Sequence, residues 1–230
     1  REVELQLEAG PSLSPRIYGF GNEIGSYPWE IIELFDSDLD VFFSSDVPHY
    51  PKHFDTDTTV KNVIYQALDI IEHVVNKGIF CVDIKPGNFV IRHTPTRPVV
   101  RMIDWDFCET SVRGGKTSTF YKEDYDVKIM FKRLMWIQLL SHITLIAKHV
   151  GDRNTKTSRG IYKAIAAAIE EKDVCGEAKK IILHVKEYAP LWKRTVAEFH
   201  HYFKPYMQNK ELEPWQTVQK FVERLCQIKN

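Results

Sequence analysis

The stretch "FCVDIKPGNFVIR", residues 80 to 92, is followed after a short gap by "VVRMIDWDF", residues 99 to 107. Both are mostly apolar, yet each carries acids, notably Asp83 in the first and Asp104 in the second. A carboxylate in apolar surroundings is costly unless something pairs with it. These acids are therefore either paired structurally, or they hold a metal and a substrate. Each part alone has a plain structural reading: Asp83 to Pro86 as a surface turn, Asn88 as a turn residue, Asp104 as a satisfied strand-end acid. The information lies in their order and in the elements around them.

Upstream, Thr58 to Lys77 carries Val60, Val63, Ile64, Ala67, Ile71, Val74 and Val75 at the three-to-four spacing of a helix with one buried face. Asp57 is placed to cap it and Gly78 to end it. "NFVIR" and "VVRMID" read as two extended runs joined by a turn containing Pro95 and Pro98. From about Asp124 the chain reads as helical to its end. Segments near 124–149, 159–172, 176–188, 190–203 and 214–229 are broken by Gly151, Gly176, Pro190, Pro205 and Pro214. Residues 126–147 are apolar on nearly all sides, which predicts a helix inside a core. Towards the start, "EVELQLEA" (2 to 9) reads as the end of a helix closed by Gly10 and Pro11. "RIYGFG" (16 to 21) and "WEIIELF" (29 to 35) read as antiparallel strands, and residues 36 to 45 as a turn and a short helix. The expected class is α+β, a small β element followed by a large, mostly helical part.

The 230 residues are enough for a sizeable core, and 43% hydrophobic content belongs to a folded chain. Lys+Arg and Asp+Glu balance at 31 each, so no bulk positive field argues for nucleic acid or an anionic membrane. "LMWIQLLSHITLIA" (134 to 147) is too short to span a bilayer. The four cysteines, Cys81, Cys108, Cys175 and Cys226, form no CxxC pair. With no signal peptide or glycosylation sequon, reduced thiols and an intracellular location, cytoplasmic or nuclear, are expected. The chain begins at Arg1 already inside a helix-like pattern, so a segment upstream of it is expected as well.

Phosphoryl transfer from ATP needs a carboxylate to orient the attacking hydroxyl, a cation near the moving phosphate, and oxygen ligands for Mg²⁺. "DIKPGN" supplies Asp83 as base, Lys85 as cation and Asn88 as an oxygen ligand, and the returning strand delivers Asp104 as a second ligand. In this the sequence resembles the eukaryotic-type protein kinases, with "CVDIKPGNFVI" matching the catalytic loop and "MIDWDF" the metal-binding segment. The resemblance implies a protein-kinase-like fold from the C-helix onward. Residues 1–46 would then be a remnant of the small lobe (end of the C-helix, two strands, hinge) together with the start of the large lobe, and 47–230 the helical large lobe. It further implies ATP and Mg²⁺ as cofactors and a protein substrate with a Ser/Thr acceptor. Glu33 and Phe35 would offer backbone groups to adenine, and Val90 would lie beneath the ring. Glu2 would be the C-helix glutamate that pairs with a lysine of the upstream small-lobe segment. Asp126 would brace the catalytic loop.

Departures from the family's pattern qualify this. Cys81-Val82-Asp83 stands where the family has His-Arg-Asp, which removes the usual cation for a phosphorylated activation loop. Trp105 and Asp106 replace phenylalanine and glycine, no Ala-Pro-Glu follows, and residues 109–126 form only a short link. "GFGNEIG" (19 to 25) is not the phosphate loop, because residues 17 to 51 contain no lysine. Three readings remain: a Ser/Thr protein kinase, a small-molecule kinase of the choline or aminoglycoside type, and a pseudokinase serving as an interaction module.

Overall fold

The apolar spacing of residues 58–77 is realised as helix α3, Thr56–Asn76. All seven positions expected on its inner face are buried, from Val60 to Val75. The helix starts earlier than expected, so Asp57 lies inside its first turn, where a carboxylate favours the positive end of the helix, and not ahead of it as a cap. Gly78 follows at φ +77, a conformation that costs glycine little, and its N–H closes on the Val75 carbonyl at 2.9 Å.

A computed structural model describes residues 2–21, 28–44, 56–81, 83–106, 108–110, 124–151 and 155–172. The other elements, in order, are α1 (Glu2–Ala9), β1 (Ile17–Gly21), β2 (Trp29–Ile32), β3 (Ser37–Asp38) and α2 (Leu39–Ser44). After α3 come β4 (Ile79–Cys81), a 3-10 turn (Pro86–Asn88), β5 (Phe89–His93), β6 (Pro98–Met102), β7 (Cys108–Thr110), α4 (Asp124–Gly151) and α5 (Thr155–Glu171). The expected helices at 176–188, 190–203 and 214–229, the link 111–123 and the side chain of Asp126 lie outside the described residues. The strands form three small antiparallel sheets, β1-β2, β3-β5-β6 and β4-β7, so the chain is α+β as expected.

Three details differ from the sequence reading. Strands β3, β4 and β7 are too short to leave a periodic signal. β2 stops at Ile32, so Glu33 to Phe35 leave the sheet as a linker. Pro98 is the first residue of β6, paired with His93, where its missing N–H costs no ladder bond.

Helix α4 lies in the core as expected, with Leu134, Met135, Ile137, Leu139, Leu140 and Ile143 all fully buried. Its Trp136 donates from Nε1 to the Leu68 carbonyl of α3 at 3.1 Å, which fixes the depth of the contact. Helix α5 closes on both: Ser158 donates to the Ala147 carbonyl at 2.7 Å, and Lys61 of α3 pairs with Glu171 at 3.1 Å. One apolar core runs from Leu5 and Ala9 of α1 through α3 and α4 to Ile169 of α5. Among the described residues no helix is long and apolar enough to cross a membrane.

The outer edge of β6 is closed by side chains and a turn. Gln66 of α3 donates to the Pro98 carbonyl at 2.9 Å and accepts from the Val100 N–H at 3.2 Å. The Met102 N–H donates to the Leu13 carbonyl at 2.8 Å.

Ile71→Ala, at a fully buried position, is expected to lower unfolding free energy by about 2–5 kcal/mol. Lys61→Ala, which removes a half-exposed ion pair, should cost less than about 1 kcal/mol. Urea unfolding of the two variants beside the parent measures both, and equal losses would contradict the packing described.

Candidate active site

Strand β4 brings the chain in at Cys81 and β5 carries it away at Phe89. Between them, Lys85 is extended (φ −145, ψ 161), as a residue before proline prefers, and Pro86 opens the 3-10 turn. The turn buries Asn88, which is 2% exposed. Its Nδ2 donates to the Asp83 carbonyl at 2.9 Å, while its Oδ1 is buried without a partner. An amide held at one end, with its carbonyl oxygen buried and unpartnered, carries a desolvation cost that a ligand would remove. The Asp83 carboxylate is half-buried and accepts from Lys85 Nζ at 2.6 Å.

Helix α4 adds a residue that sequence reading passed over. His142 meets the Gln138 carbonyl through Nδ1 at 3.0 Å. Burial pushes its pKa down, while the Gln138 carbonyl, the Asp83 carboxylate, the Ile84 backbone and Asp40 pull the other way. A histidine inside an otherwise apolar helix was the available signal, since such a ring needs polar partners.

The second strand meets this loop through the backbone. The Ile103 N–H donates to the Asn88 carbonyl at 2.8 Å, one step beyond the last β5–β6 pair, Phe89 with Met102. Asp104 follows at φ +60, the one non-glycine residue in the left-handed region among those described. Such a conformation costs roughly 1–2 kcal/mol for most residues and less for aspartate. Next, the buried Trp105 donates its backbone N–H to Glu2 Oε1 at 3.1 Å. Burial pushes the Glu2 carboxyl up, the Trp105 N–H lowers it, and Asp106, Glu30 and Asp104 push it further up. Asp106, Glu30 and Asp104 therefore lie close enough to Glu2 for their charges to act on its carboxyl.

The expectation of reduced thiols is corrected here. Cys81 and Cys108 are joined by a disulfide, with Cα atoms 4.1 Å apart, across the β4–β7 ladder. Spacing rules look for cysteines close in sequence, whereas these are 27 residues apart and meet only because the chain returns antiparallel. This pair therefore does not support the reduced thiols that formed part of the expectation of an intracellular setting. Cys175 and Cys226 lie outside the described residues.

Beside this loop is a cavity of about 330 Å³, lined among others by Glu33, Leu34, Phe35, Asp38, Val90 and Ile103. Arg92 pairs with Glu33 Oε1 at 2.5 Å and lies 5.0 Å from the centre of the Phe35 ring, so one guanidinium steadies both linker side chains. Burial works to raise the Glu33 carboxyl, but Arg92 and the Arg16 N–H outweigh it and hold it low. The Glu33 N–H donates to the Arg16 carbonyl at 2.8 Å, so this N–H is already engaged.

Of the residues singled out in the sequence, Asp83, Lys85 and Asn88 share one loop, and Asn88 reaches the Asp104 segment through Ile103. Glu33, Phe35 and Val90 share the cavity. Glu2 joins the Asp104 side of the site, and the upstream lysine expected for it has no counterpart among the described residues. Among the described residues no group of three or more His, Cys, Asp or Glu side chains is placed to hold a metal, and the oxygens this segment offers a hard cation are Asn88 Oδ1, buried without a partner, and the Asp104 carboxylate.

Two substitutions test this geometry. Asp104→Gly is expected to change stability by less than about 1 kcal/mol, since glycine adopts φ +60 freely but loses more chain entropy on folding. A larger loss in thermal unfolding would show that the aspartate's contacts outweigh its backbone cost. Glu2→Gln keeps an oxygen to accept from Trp105. Because the folded state raises the Glu2 pKa, the ionised carboxyl costs stability above its ordinary range and nothing once protonated in both states. The variant should be slightly the more stable near neutral pH. That gain should vanish as pH falls below about 4, and a gain that grows on acidification would contradict the reading.

Compared with known proteins, the chain matches no family model and no curated protein, so the site is read from its own chemistry.

Proposed function

We propose that this chain is an ATP-dependent phosphotransferase of protein-kinase-like fold that moves the γ-phosphate of Mg-ATP to a Ser/Thr hydroxyl of a protein. The observation that carries the reading is the position of Ile103. Its side chain lines the cavity, its N–H is bonded to Asn88, and the next residue is Asp104. A nucleobase in the cavity would thus have its phosphates directed along residues 103–104, toward Asn88 and Asp104.

In this reading the Glu33 carbonyl and the Phe35 backbone meet the adenine edge, and Val90 packs on its face. Asn88 Oδ1 and the Asp104 carboxylate would hold Mg²⁺, which would supply positive charge against the phosphates. Two protein oxygens suffice for magnesium, because the phosphates and water complete its shell. Lys85, already bound to Asp83, puts a cation where charge develops on the transferred group. Asp83 accepts a hydrogen bond from the attacking hydroxyl and aims its oxygen at phosphorus.

Asp83→Ala and Asp104→Ala, made in the full-length protein, should each lower phosphate transfer by ~10²–10⁴ while the fold survives. Asp104→Ala should also weaken Mg²⁺-dependent ATP binding, whereas Asp83→Ala should leave nucleotide affinity nearly intact. The measurements are radiolabelled phosphate transfer to a Ser/Thr protein mixture and a nucleotide titration with and without Mg²⁺. Parent protein that neither binds nucleotide nor transfers phosphate would replace the proposal with a pseudokinase interaction module. Transfer to metabolites alone would replace it with a small-molecule kinase.

A further inference from the structure

We propose that His142 is a positioning residue of the candidate site: it ties the Asp83–Lys85 stretch to helix α4 through the Ile84 carbonyl, and so aims Asp83 at the acceptor hydroxyl. The inference rests on the phosphotransferase reading and adds to it the residue through which the core holds the catalytic loop.

Between Leu134 and Ala147, helix α4 carries the polar side chains of Gln138, Ser141, His142 and Thr144. Thr144 is satisfied on its own helix, donating to the Leu140 carbonyl at 2.7 Å. The other three share one helix face, at i, i+3 and i+4. Ser141 Oγ is buried there without a partner. An unpartnered oxygen in a core costs stability, so this face does less for packing than apolar residues would. It is directed at the candidate site: α4 packs against the 3-10 turn and α2, and the charges of Asp83 and Asp40 reach the His142 ring.

His142 Nδ1 meets the Gln138 carbonyl, one turn back, at 3.0 Å. The Ile84 backbone draws the ring's pKa up, as an accepting carbonyl does. With Nδ1 at Gln138, the nitrogen left for Ile84 is Nε2. The Gln138 carbonyl already receives an N–H within its helix, so a single ring proton has more to gain at Ile84. Ile84 itself is 1% exposed, between Asp83 and Lys85, whose side chains pair at 2.6 Å. Two successive carbonyls are then held from different sides, that of Asp83 by the Asn88 amide at 2.9 Å and that of Ile84 by His142. Fixing both peptide planes around Ile84 fixes where the Asp83 carboxylate points. Asn88 and Asp104 are held otherwise, by the β5–β6 hairpin and the Ile103 bond. Loss of His142 therefore bears on phosphate transfer and spares nucleotide binding.

The test uses the full-length protein with His142→Asn and His142→Gln, each also made in the Asp83→Ala background. The asparagine amide stands where Nδ1 does and the glutamine amide where Nε2 does, so only the second can donate to Ile84. Radiolabelled transfer from Mg-ATP to a Ser/Thr protein mixture is measured against ATP concentration, beside thermal unfolding. His142→Asn should lower turnover by ~10–10²-fold, the effect of a small misplacement of a reacting group, with the KM for ATP close to the parent's. His142→Gln should keep most of the turnover. In the Asp83→Ala background His142→Asn should cost nothing further, because a residue that acts through Asp83 has nothing left to position. Equal turnover in the two variants, a KM that rises with the loss, or losses that multiply in the double variant overturn the positioning role and leave the phosphotransferase reading standing. So does failure of His142→Asn to unfold cooperatively, which makes the residue structural. Parent protein that transfers no phosphate overturns the phosphotransferase reading, and the positioning role with it.

Discussion

One backbone hydrogen bond, from the Ile103 N–H to the Asn88 carbonyl, joins the two segments that make up the candidate site. It extends the β5–β6 pairing by a step and then stops, because Asp104 turns into the left-handed region. That stop lets two chain segments from opposite ends of a hairpin face each other with side chains that do not belong to the sheet. The register is enforced from beneath, since Phe89, Ile91, Val100 and Met102 are all fully buried and a slip by one residue would expose them.

Several features that cost free energy lie around this point. Asn88 Oδ1 and Trp105 Nε1 are buried without partners, Asp104 has an unfavourable φ, and Glu2 is held among other acids. Behind them α3 and α4 pack through a largely apolar face, crossed by polar contacts that include Trp136 to Leu68 and Lys132 to Glu72. A rigid, well-packed support allows a small region to stay strained and under-bonded without unfolding.

What could be read in the sequence divides along the same line. Helices α3 and α4 were legible because burial imposes a period, and their inner residues are the ones found buried. The hairpin was legible because two β-rich runs flank a proline turn. Strands β4 and β7 were not, as three residues carry no period and each finds its partner across a long gap in the chain. The cysteine pair was missed for the same reason. Among the site residues, Asp83, Lys85, Asn88 and Asp104 stood out as polar groups in apolar runs. Ile103 and Arg92 could not stand out, since their importance is purely positional: one joins the cavity to the acids, the other steadies Glu33 and Phe35.

The Gln66 side chain has a consequence for how this molecule meets others. An exposed sheet edge is a template on which a foreign strand can be laid, and it is the usual route to aggregation or to peptide capture by strand addition. Here the outward groups of β6 are already engaged, by Gln66 at Pro98 and Val100 and by Leu13 at Met102. The helix supplies through one amide what a fourth strand would have supplied through its backbone. The β3-β5-β6 sheet therefore terminates on this side within its own fold, and a visiting polypeptide must engage side chains elsewhere instead of extending it.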